Sequence, residues 1–89
     1  MKVTFTARAG RDFARLREFI QKKHPQAAQK ASRQLKKNIQ SLIDQPNMGM
    51  VVEDLVDFRE LVARDYIVRY RVLPNEIVIV NIWHTKEDY

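Results

Sequence analysis

The sequence predicts an α+β fold in the order β-α-α-β-β-β, with a helical hairpin packed on one side of an antiparallel sheet. In the first half, apolar residues recur at helical spacing through two consecutive segments that a His-Pro step separates. In the second half, three segments have the composition of strands and are separated by short turns. A length of 89 residues suits one small domain, so we expect residues 1–89 to form a single unit.

The first strand and the first helix are predicted from a change in the spacing of apolar residues along the chain. The segment from Lys2 to Thr6 alternates polar and apolar residues, as a short strand does. Apolar side chains then follow at steps of four, three and four, which places them on one helix face: Ala9, Phe13, Leu16 and Ile20. We expect this helix to begin between Ala7 and Arg11, because Gly10 weakens the first turn.

A second helix is predicted from Pro25 to about Ile43. Proline suits the first turn of a helix, where its missing N–H has no intrahelical partner. Asp44-Gln45-Pro46 ends the helix, whose apolar face contains Ala28, Ala31, Leu35, Ile39 and Leu42. The connection at His24-Pro25 is so short that the two helices must form an antiparallel hairpin.

Three strands are predicted in the second half: Phe58–Ala63, Tyr66–Leu73 and Ile77–His84. Turn residues at Asn47-Met48-Gly49 and an acidic connection from Glu53 to Asp57 precede them. The turns between them are short enough for consecutive antiparallel hairpins.

The faces of the last two strands follow from alternation. In the middle strand, Arg69 and Arg71 lie on the face opposite the aromatic residues. The last strand is apolar on both faces, with Trp83 expected on the same face as Ile77 and Ile79. Such a strand should lie centrally or be covered.

The charge of the chain is unevenly distributed. The net charge is +5, and the segment from Ala7 to Ile43 holds ten basic and two acidic residues, a balance of +8. From Asp44 to Tyr89 there are five basic and nine acidic residues, a balance of −4. This asymmetry indicates an anionic partner for the helices, either nucleic acid or an acidic protein segment, although a solvated helix surface is the simpler alternative.

Several classes of site are excluded by composition. The absence of cysteine excludes disulfides, thiolate nucleophiles and cysteine zinc sites. Two glycines cannot supply a phosphate-binding loop, and two histidines sixty positions apart do not form a helical metal pair. We therefore expect no cofactor and no metal. No segment has the apolar core of a signal peptide or of a membrane helix, so a cytoplasmic protein without a membrane partner is expected.

The order and spacing of these elements resemble the RelE/ParE superfamily of type II toxin–antitoxin toxins. The second helix ends in Leu-Ile-Asp-Gln-Pro, shortly before Gly49, as in that superfamily. The segment from Phe58 to Val72 is similar as well, and the closing Ile82-Trp83-His84-Thr85-Lys86-Glu87-Asp88 resembles the ParE-like branch. The likeness covers about residues 2–88.

The resemblance implies one of two activities. One branch of the superfamily cleaves messenger RNA on the ribosome, and the other inhibits DNA gyrase without a catalytic set. RNA cleavage needs a base, an acid and positive charge at the phosphate. Ile67 and Leu61 occupy positions that are often basic in the ribonuclease branch, whereas Arg59 keeps the basic residue. The departure favours the ParE-like branch.

The resemblance also implies candidate site residues. No catalytic residue is expected in a gyrase inhibitor; a ribonuclease would use Arg59, His84 and Tyr89. The candidate target-binding residues are Arg59, Arg69, Arg71, Trp83, His84 and Lys86. The candidate antitoxin-binding residues are Arg11, Arg15, Lys30, Arg33 and Lys37. Each has a simpler structural alternative, such as a solvated strand arginine or a histidine that covers the core.

The function expected from the resemblance is a toxin that arrests growth by inhibiting DNA gyrase, as plasmid-stabilisation toxins do. A cognate acidic antitoxin would neutralise it in a toxin–antitoxin hetero-oligomer. The first alternative is a ribosome-dependent mRNA endoribonuclease of the RelE type, with the ribosome and mRNA as partners. The second is an inactive protein of the same fold that acts only as an antitoxin partner and co-repressor.

Overall fold

The computed structural model describes residues 1–86 as two helices packed on one face of a five-stranded sheet. The helices are α1 (Ala7–Lys23) and α2 (Pro25–Gln40), and a short 3-10 turn (Ser41–Ile43) follows α2. The strands are β1 (Lys2–Phe5), β2 (Met50–Val51), β3 (Phe58–Ala63), β4 (Tyr66–Val72) and β5 (Glu76–His84). The predicted helical hairpin and the three long strands are confirmed. The α-helical part of the second helix is shorter than predicted, because its last turn tightens into the 3-10 form.

The sheet is mixed, with strand order β1-β5-β4-β3-β2. β3, β4 and β5 form the predicted antiparallel hairpins, but β1 runs parallel to β5, with Lys2 beside Glu76 and Phe5 beside Ile79. The prediction of an entirely antiparallel sheet was therefore wrong for β1. Short turns predict antiparallel pairing, and no short turn joins β1 to β5.

The predicted turn region contains an additional strand. Met50 and Val51 of β2 pair antiparallel with Glu60 and Arg59 of β3. Two residues are too few to show an alternating pattern, so the sequence does not distinguish β2 from the turn beside it.

The core lies between the helices and one face of the sheet, which we call the inner face. The helices contribute Leu16, Leu35 and Ile39 to it. The fully buried residues of the sheet are Val68, Tyr70, Ile77, Ile79 and Ile82. Both α1 and α2 lie on the inner side, so neither covers the opposite, outer face.

A β-bulge in β5 changes which residues reach the outer face. Arg69 pairs with Asn81 and Tyr70 pairs with Ile79, so Val80 is an extra residue in the ladder. An extra residue reverses the alternation of every side chain beyond it. Trp83 therefore lies on the outer face, and the prediction that it shares a face with Ile79 was wrong.

β1 pairs with only the first part of β5, so the backbone edge of β5 is open after Ile79. Thr6 covers the beginning of this open edge. The Thr6 N–H donates to the Ile79 carbonyl at 3.0 Å, and its Oγ1 donates to the Val80 carbonyl at 2.8 Å. The same hydroxyl oxygen accepts a hydrogen bond from the Ala9 N–H at 3.0 Å and so caps α1. Thr6 thus joins the end of β1, the edge of β5 and the start of α1.

Asp12 and Arg15 of α1 cover the next part of this edge. The Ile82 N–H donates to Asp12 Oδ2 at 2.9 Å, and Arg15 donates to the Ile82 carbonyl at 3.2 Å. The two side chains also bond each other, with 2.6 Å between Arg15 Nη1 and Asp12 Oδ1. Because a buried backbone N–H or carbonyl needs a partner, these side chains replace a missing strand.

Neither α1 nor α2, nor any other helix within residues 1–86, is long and apolar enough to span a bilayer.

Candidate functional site

The outer face brings together three of the predicted target-binding residues: Arg69, Arg71 and Trp83. Cross-strand pairing places Arg69 opposite Glu60, Arg71 opposite Phe58 and Trp83 opposite Ile67. Side chains of directly opposed residues are neighbours on the same face. The outer face is therefore a surface of alternating charged and apolar side chains.

Arg69 has two partners on this surface. Its Nε and Nη2 donate to Glu60 Oε2 at 2.9 and 2.6 Å. The guanidinium carbon lies 5.6 Å from the centroid of the Trp83 ring, within the range of a cation–π contact. Glu60 offsets the charge of Arg69 and, together with Trp83, fixes the orientation of its guanidinium plane.

Arg71 is more accessible than Arg69. Its guanidinium carbon lies 5.8 Å from the Phe58 ring centroid, and the residue is exposed. At the other end of the surface Val62 is 60% exposed and lies opposite Ile67, whose other neighbour is Trp83. The outer face thus combines an exposed cationic group with an accessible apolar patch, which is a composition suited to protein partners.

Arg59 lies on the inner face instead, opposite Tyr70. Its Nη1 donates to the Gly49 carbonyl at 2.8 Å and to the Asn47 carbonyl at 3.3 Å. Arg59 thus holds the loop of residues 46–49, which connects the helical hairpin to β2.

Tyr70, also on the inner face, holds the same 46–49 loop through its hydroxyl. Its hydroxyl donates to the Pro46 carbonyl at 2.8 Å and accepts from the Gly49 N–H at 2.9 Å. Burial raises the pKa of the Tyr70 phenol above its usual 10.0, an effect that the Gly49 hydrogen bond and the charge of Arg59 partly oppose. A Cβ on Gly49 would lie 2.7 Å from the Tyr70 hydroxyl and 2.8 Å from the Glu60 carbonyl oxygen, so only glycine fits at this position.

His84 is buried on the inner face. It is 6% exposed, and its ring centroid lies 5.3 Å from that of Phe19 and 5.2 Å from that of Tyr66. Its Nδ1 accepts a hydrogen bond from the backbone N–H of Lys86 at 3.0 Å. His84 therefore packs between α1 and β4, and it fixes the backbone at Lys86.

The structure does not bring the predicted ribonuclease residues together. Arg59 pairs with Tyr70, and His84 pairs with Tyr66, four positions earlier on β4. At the usual rise per strand residue this is about 13 Å. Tyr89, the third of the set, lies outside the described residues.

The predicted antitoxin-binding residues lie on the helical hairpin. All five are exposed: Arg11, Arg15, Lys30, Arg33 and Lys37. Arg15 differs because its guanidinium bonds Asp12 and the Ile82 carbonyl. Lys30 also lines a groove of about 310 Å³ between α2 and the β3–β4 turn, whose walls include Ala31 and Tyr66.

Two polar residues that organise the site, Asp12 and Glu60, were not predicted from the sequence. Asp12 is 3% exposed although it carries a charge, and its position between Ala9 and Leu16 on the apolar face of α1 was a usable signal. Glu60 gave no such signal, because only the strand register places it opposite Arg69. Within residues 1–86, no three His, Asp or Glu residues are grouped so that they could hold a metal ion.

Comparison with known proteins decides the family. Residues 3–89 match the model of the ParE toxin of the type II toxin–antitoxin system parDE. The chain belongs to the ParE toxin family. A relative in Caulobacter vibrioides (strain ATCC 19089 / CIP 103742 / CB 15) named Toxin RelE1 is 31% identical to this ParE-family chain over 90 residues, which cover 96% of the chain and 94% of the relative.

Two solved structures share the fold of this ParE-family chain. A chain from the chromosomal ParDE TA system of P. aeruginosa superposes with a TM-score of 0.81 at 21% identity, covering 94% of this chain and 95% of that one. A chain from the E. coli DinJ–YafQ complex superposes with a TM-score of 0.66 at 14% identity, covering 92% and 90%. The resemblance to the RelE/ParE superfamily inferred from the sequence is confirmed.

Proposed function

We propose that this toxin inhibits DNA gyrase by binding it through the outer face of the sheet, and that an acidic antitoxin neutralises it. One observation supports the proposal above all. The histidine and tyrosine side chains of β4 and β5 that could act as acid or base lie on the inner face of the sheet, away from the proposed contact surface. Arg69, Arg71 and Trp83 form the proposed contact surface, and Lys86 extends it beyond β5.

RNA cleavage requires groups that can accept and donate a proton beside the phosphate. Among residues 1–86, the histidine and tyrosines of the sheet are buried on the inner face: Tyr66, Tyr70 and His84. On the outer face, Glu60 is bonded to Arg69, and Ile67 stands where the ribonuclease branch often has a basic residue. This arrangement supports binding rather than catalysis.

The outer face has the composition of a protein interface. Tryptophan and arginine are the residues that most often contribute large binding energies, above all where apolar neighbours exclude water. Trp83 and Arg71 meet that description, because Ile67 lies beside Trp83 and Phe58 lies beside Arg71. Arg59 and His84 were predicted to touch the target directly; in this proposal they act indirectly, by fixing the 46–49 loop and the backbone at Lys86.

The antitoxin part of the proposal is supported by the charge of the hairpin. Ten basic and two acidic residues between Ala7 and Ile43 attract an acidic segment. Association should therefore slow markedly as salt rises, whereas dissociation should change much less, because exposed charges are screened beyond about 10 Å at 0.1 M salt. A rate of association that does not depend on salt would contradict electrostatic steering.

The test adds purified toxin in parallel to DNA gyrase, with supercoiling as the readout, and to translating ribosomes, with mRNA integrity as the readout. We expect inhibition of supercoiling and intact transcripts. Trp83→Ala and Arg71→Ala should each weaken gyrase inhibition at least about tenfold, as expected for central interface residues. Arg33→Ala, an exposed hairpin substitution, is the matched control and should leave inhibition unchanged.

One observation favours the ribonuclease alternative. An arginine stacked on a tryptophan, as Arg69 is on Trp83, is also a platform for nucleic acid bases. Codon-specific cuts in ribosome-bound mRNA that Arg59→Ala or His84→Ala abolishes would establish that alternative. If neither gyrase nor mRNA is affected while the antitoxin binds, the protein is an inactive antitoxin partner.

A further inference from the structure

A second surface of the molecule, on the helical hairpin, has a small apolar groove. It lies where α1 meets the end of β1 and the side of α2, and it has a volume of about 290 Å³. Its lining residues are Phe5, Gly10, Phe13, Arg17 and Lys36. Phe5 is 39% exposed and meets Phe13 edge to face, with 6.3 Å between ring centroids. We call this the Gly10 groove.

Gly10 is not required by the fold of the chain itself. It is the fourth residue of α1 and has an ordinary negative φ, and a Cβ built on it would meet nothing within 4 Å. Glycine inside a helix lowers stability relative to alanine, because it loses more backbone freedom on folding. Gly49 has the opposite character, since its Cβ would collide with Tyr70.

The lack of a side chain at Gly10 instead keeps the floor of the groove open. Glycine in such a position lets a ligand or another chain approach the helix backbone closely. The two phenylalanines supply apolar walls, and the Lys36 ammonium lies 5.7 Å from the Phe13 ring centroid at the rim. The groove therefore fits one apolar side chain, with cations above it.

We propose that the Gly10 groove is the anchor point for an acidic segment of the antitoxin, which inserts one large apolar side chain over Gly10, against Phe5 and Phe13. Arg17 and Lys36 are exposed at the rim, and no acidic residue lines the groove. Carboxylates on either side of the inserted residue face these cations. The proposal rests on the antitoxin partnership above and adds the place and the chemistry of the contact.

The absence of cysteine from the chain makes a single-thiol experiment possible. Gly10→Cys, Ala14→Cys and Val56→Cys are prepared, and the alkylation rate of each thiol is measured with and without the full-length protein encoded beside this gene. Ala14 is exposed on α1 but does not line the groove, and Val56 is exposed on the loop between β2 and β3. We expect the partner to slow alkylation at position 10 at least about tenfold, as for a buried interface centre. Position 56 should be unaffected.

Affinity measurements complete the test. Gly10→Gln fills the groove with a good helix former, so its melting temperature should rise while its affinity for the same partner falls at least about tenfold. Ala14→Gln adds the same side chain outside the groove and should bind almost normally. Equal losses in the two variants, or unchanged protection and affinity at position 10, would overturn the groove assignment. No binding by the wild type would instead refute the antitoxin partnership, and protection by RNA but not by the protein would assign the groove to nucleic acid.

Discussion

The two edges of the sheet are stabilised in different ways. At the β5 edge, side chains of Thr6, Asp12 and Arg15 satisfy the backbone directly and leave no strand-sized gap. At the β2 edge, no strand or helix within residues 1–86 covers the backbone, and Met50 and Val51 are 76% and 69% exposed. There the fixed part is the neighbouring 46–49 loop, which Arg59 and Tyr70 bind from the inner face.

The comparison shows that the charge of a residue does not indicate its role in this protein. Arg15 and Arg59 were predicted to contact partners, yet both bond backbone carbonyls of the chain itself. Within residues 1–86, Arg71 and the exposed hairpin residues Arg11, Arg33 and Lys37 do not bond the edges of the sheet in this way. The surfaces available to partners are therefore those on which exposed cations lie beside exposed apolar side chains.

The largest effect is expected at Gly49. Gly49→Ala forces Tyr70 away from the 46–49 loop, because the new Cβ lies 2.7 Å from its hydroxyl. Overpacking together with lost hydrogen bonds should cost about 3 kcal/mol of unfolding free energy. Gly10→Ala is the matched control and should gain about 1 kcal/mol. Urea unfolding of both variants provides the measurement, and equal stabilities would mean that the loop is not tightly held.

Asp12→Ala should destabilise the opposite edge by about 2 kcal/mol, because it leaves the buried Ile82 N–H and one face of Arg15 without an acceptor. Glu18→Ala, an exposed position on the same helix, should change stability by less than about 0.5 kcal/mol. Amide hydrogen exchange at Ile82 should accelerate in the first variant alone. Unchanged exchange there would show that the carboxylate does not hold the edge.

The stability of the 46–49 loop should depend on pH through Tyr70. Its pKa is raised in the folded state, so the neutral phenol is favoured, and the stability it contributes is present below pH 10 and lost as pH rises further. Tyr70→Phe should cost about 1–2 kcal/mol at neutral pH, because Gly49 and Pro46 lose a partner. The difference between wild type and variant should shrink above pH 10. A constant difference would contradict a buried neutral phenol.

The smallest effect on stability is expected from truncation after His84. The deletion removes the bond from the Thr85 N–H to the Asp65 carbonyl and the bond from the Lys86 N–H to His84. Both lie at the end of β5, so the loss should stay below roughly 1 kcal/mol and the melting temperature within a few degrees. Antitoxin binding should persist, whereas most toxicity should be lost. Full toxicity would exclude Lys86 from the target surface, and failure to fold would mean that this segment supports the core.

Local patterns were sufficient to predict the helices and the long strands. Residues such as Leu16 and Leu35 repeat with the helical period, and β3 begins and ends as its composition indicates. These signals depend on neighbours in sequence, and burial of one face by α1 and α2 follows from them.

Pairings between distant segments could not be predicted in the same way. The parallel direction of β1 and the two-residue β2 depend on which strand lies beside them. The extra residue Val80 leaves no mark in a strand that is apolar on both faces, so Trp83 was assigned to the wrong face. The placement of Arg59 follows from its register with Tyr70, which no short motif records.

The pairing of β1 with β5 also has a consequence for the time course of folding. The Thr4 hydroxyl bonds Glu76, 72 positions along the chain, so the sheet closes only after nearly all of the chain has been synthesised. Contacts between such distant segments form late, because the entropy of closing a long loop must be lost before they contribute. Until then the apolar inner faces of α1 and α2 lack β5, whose Ile77, Ile79 and Ile82 are fully buried in the finished core. A nascent toxin therefore passes through a period in which it is incomplete and prone to aggregate, and a partner that captures the helices early would also act as its chaperone.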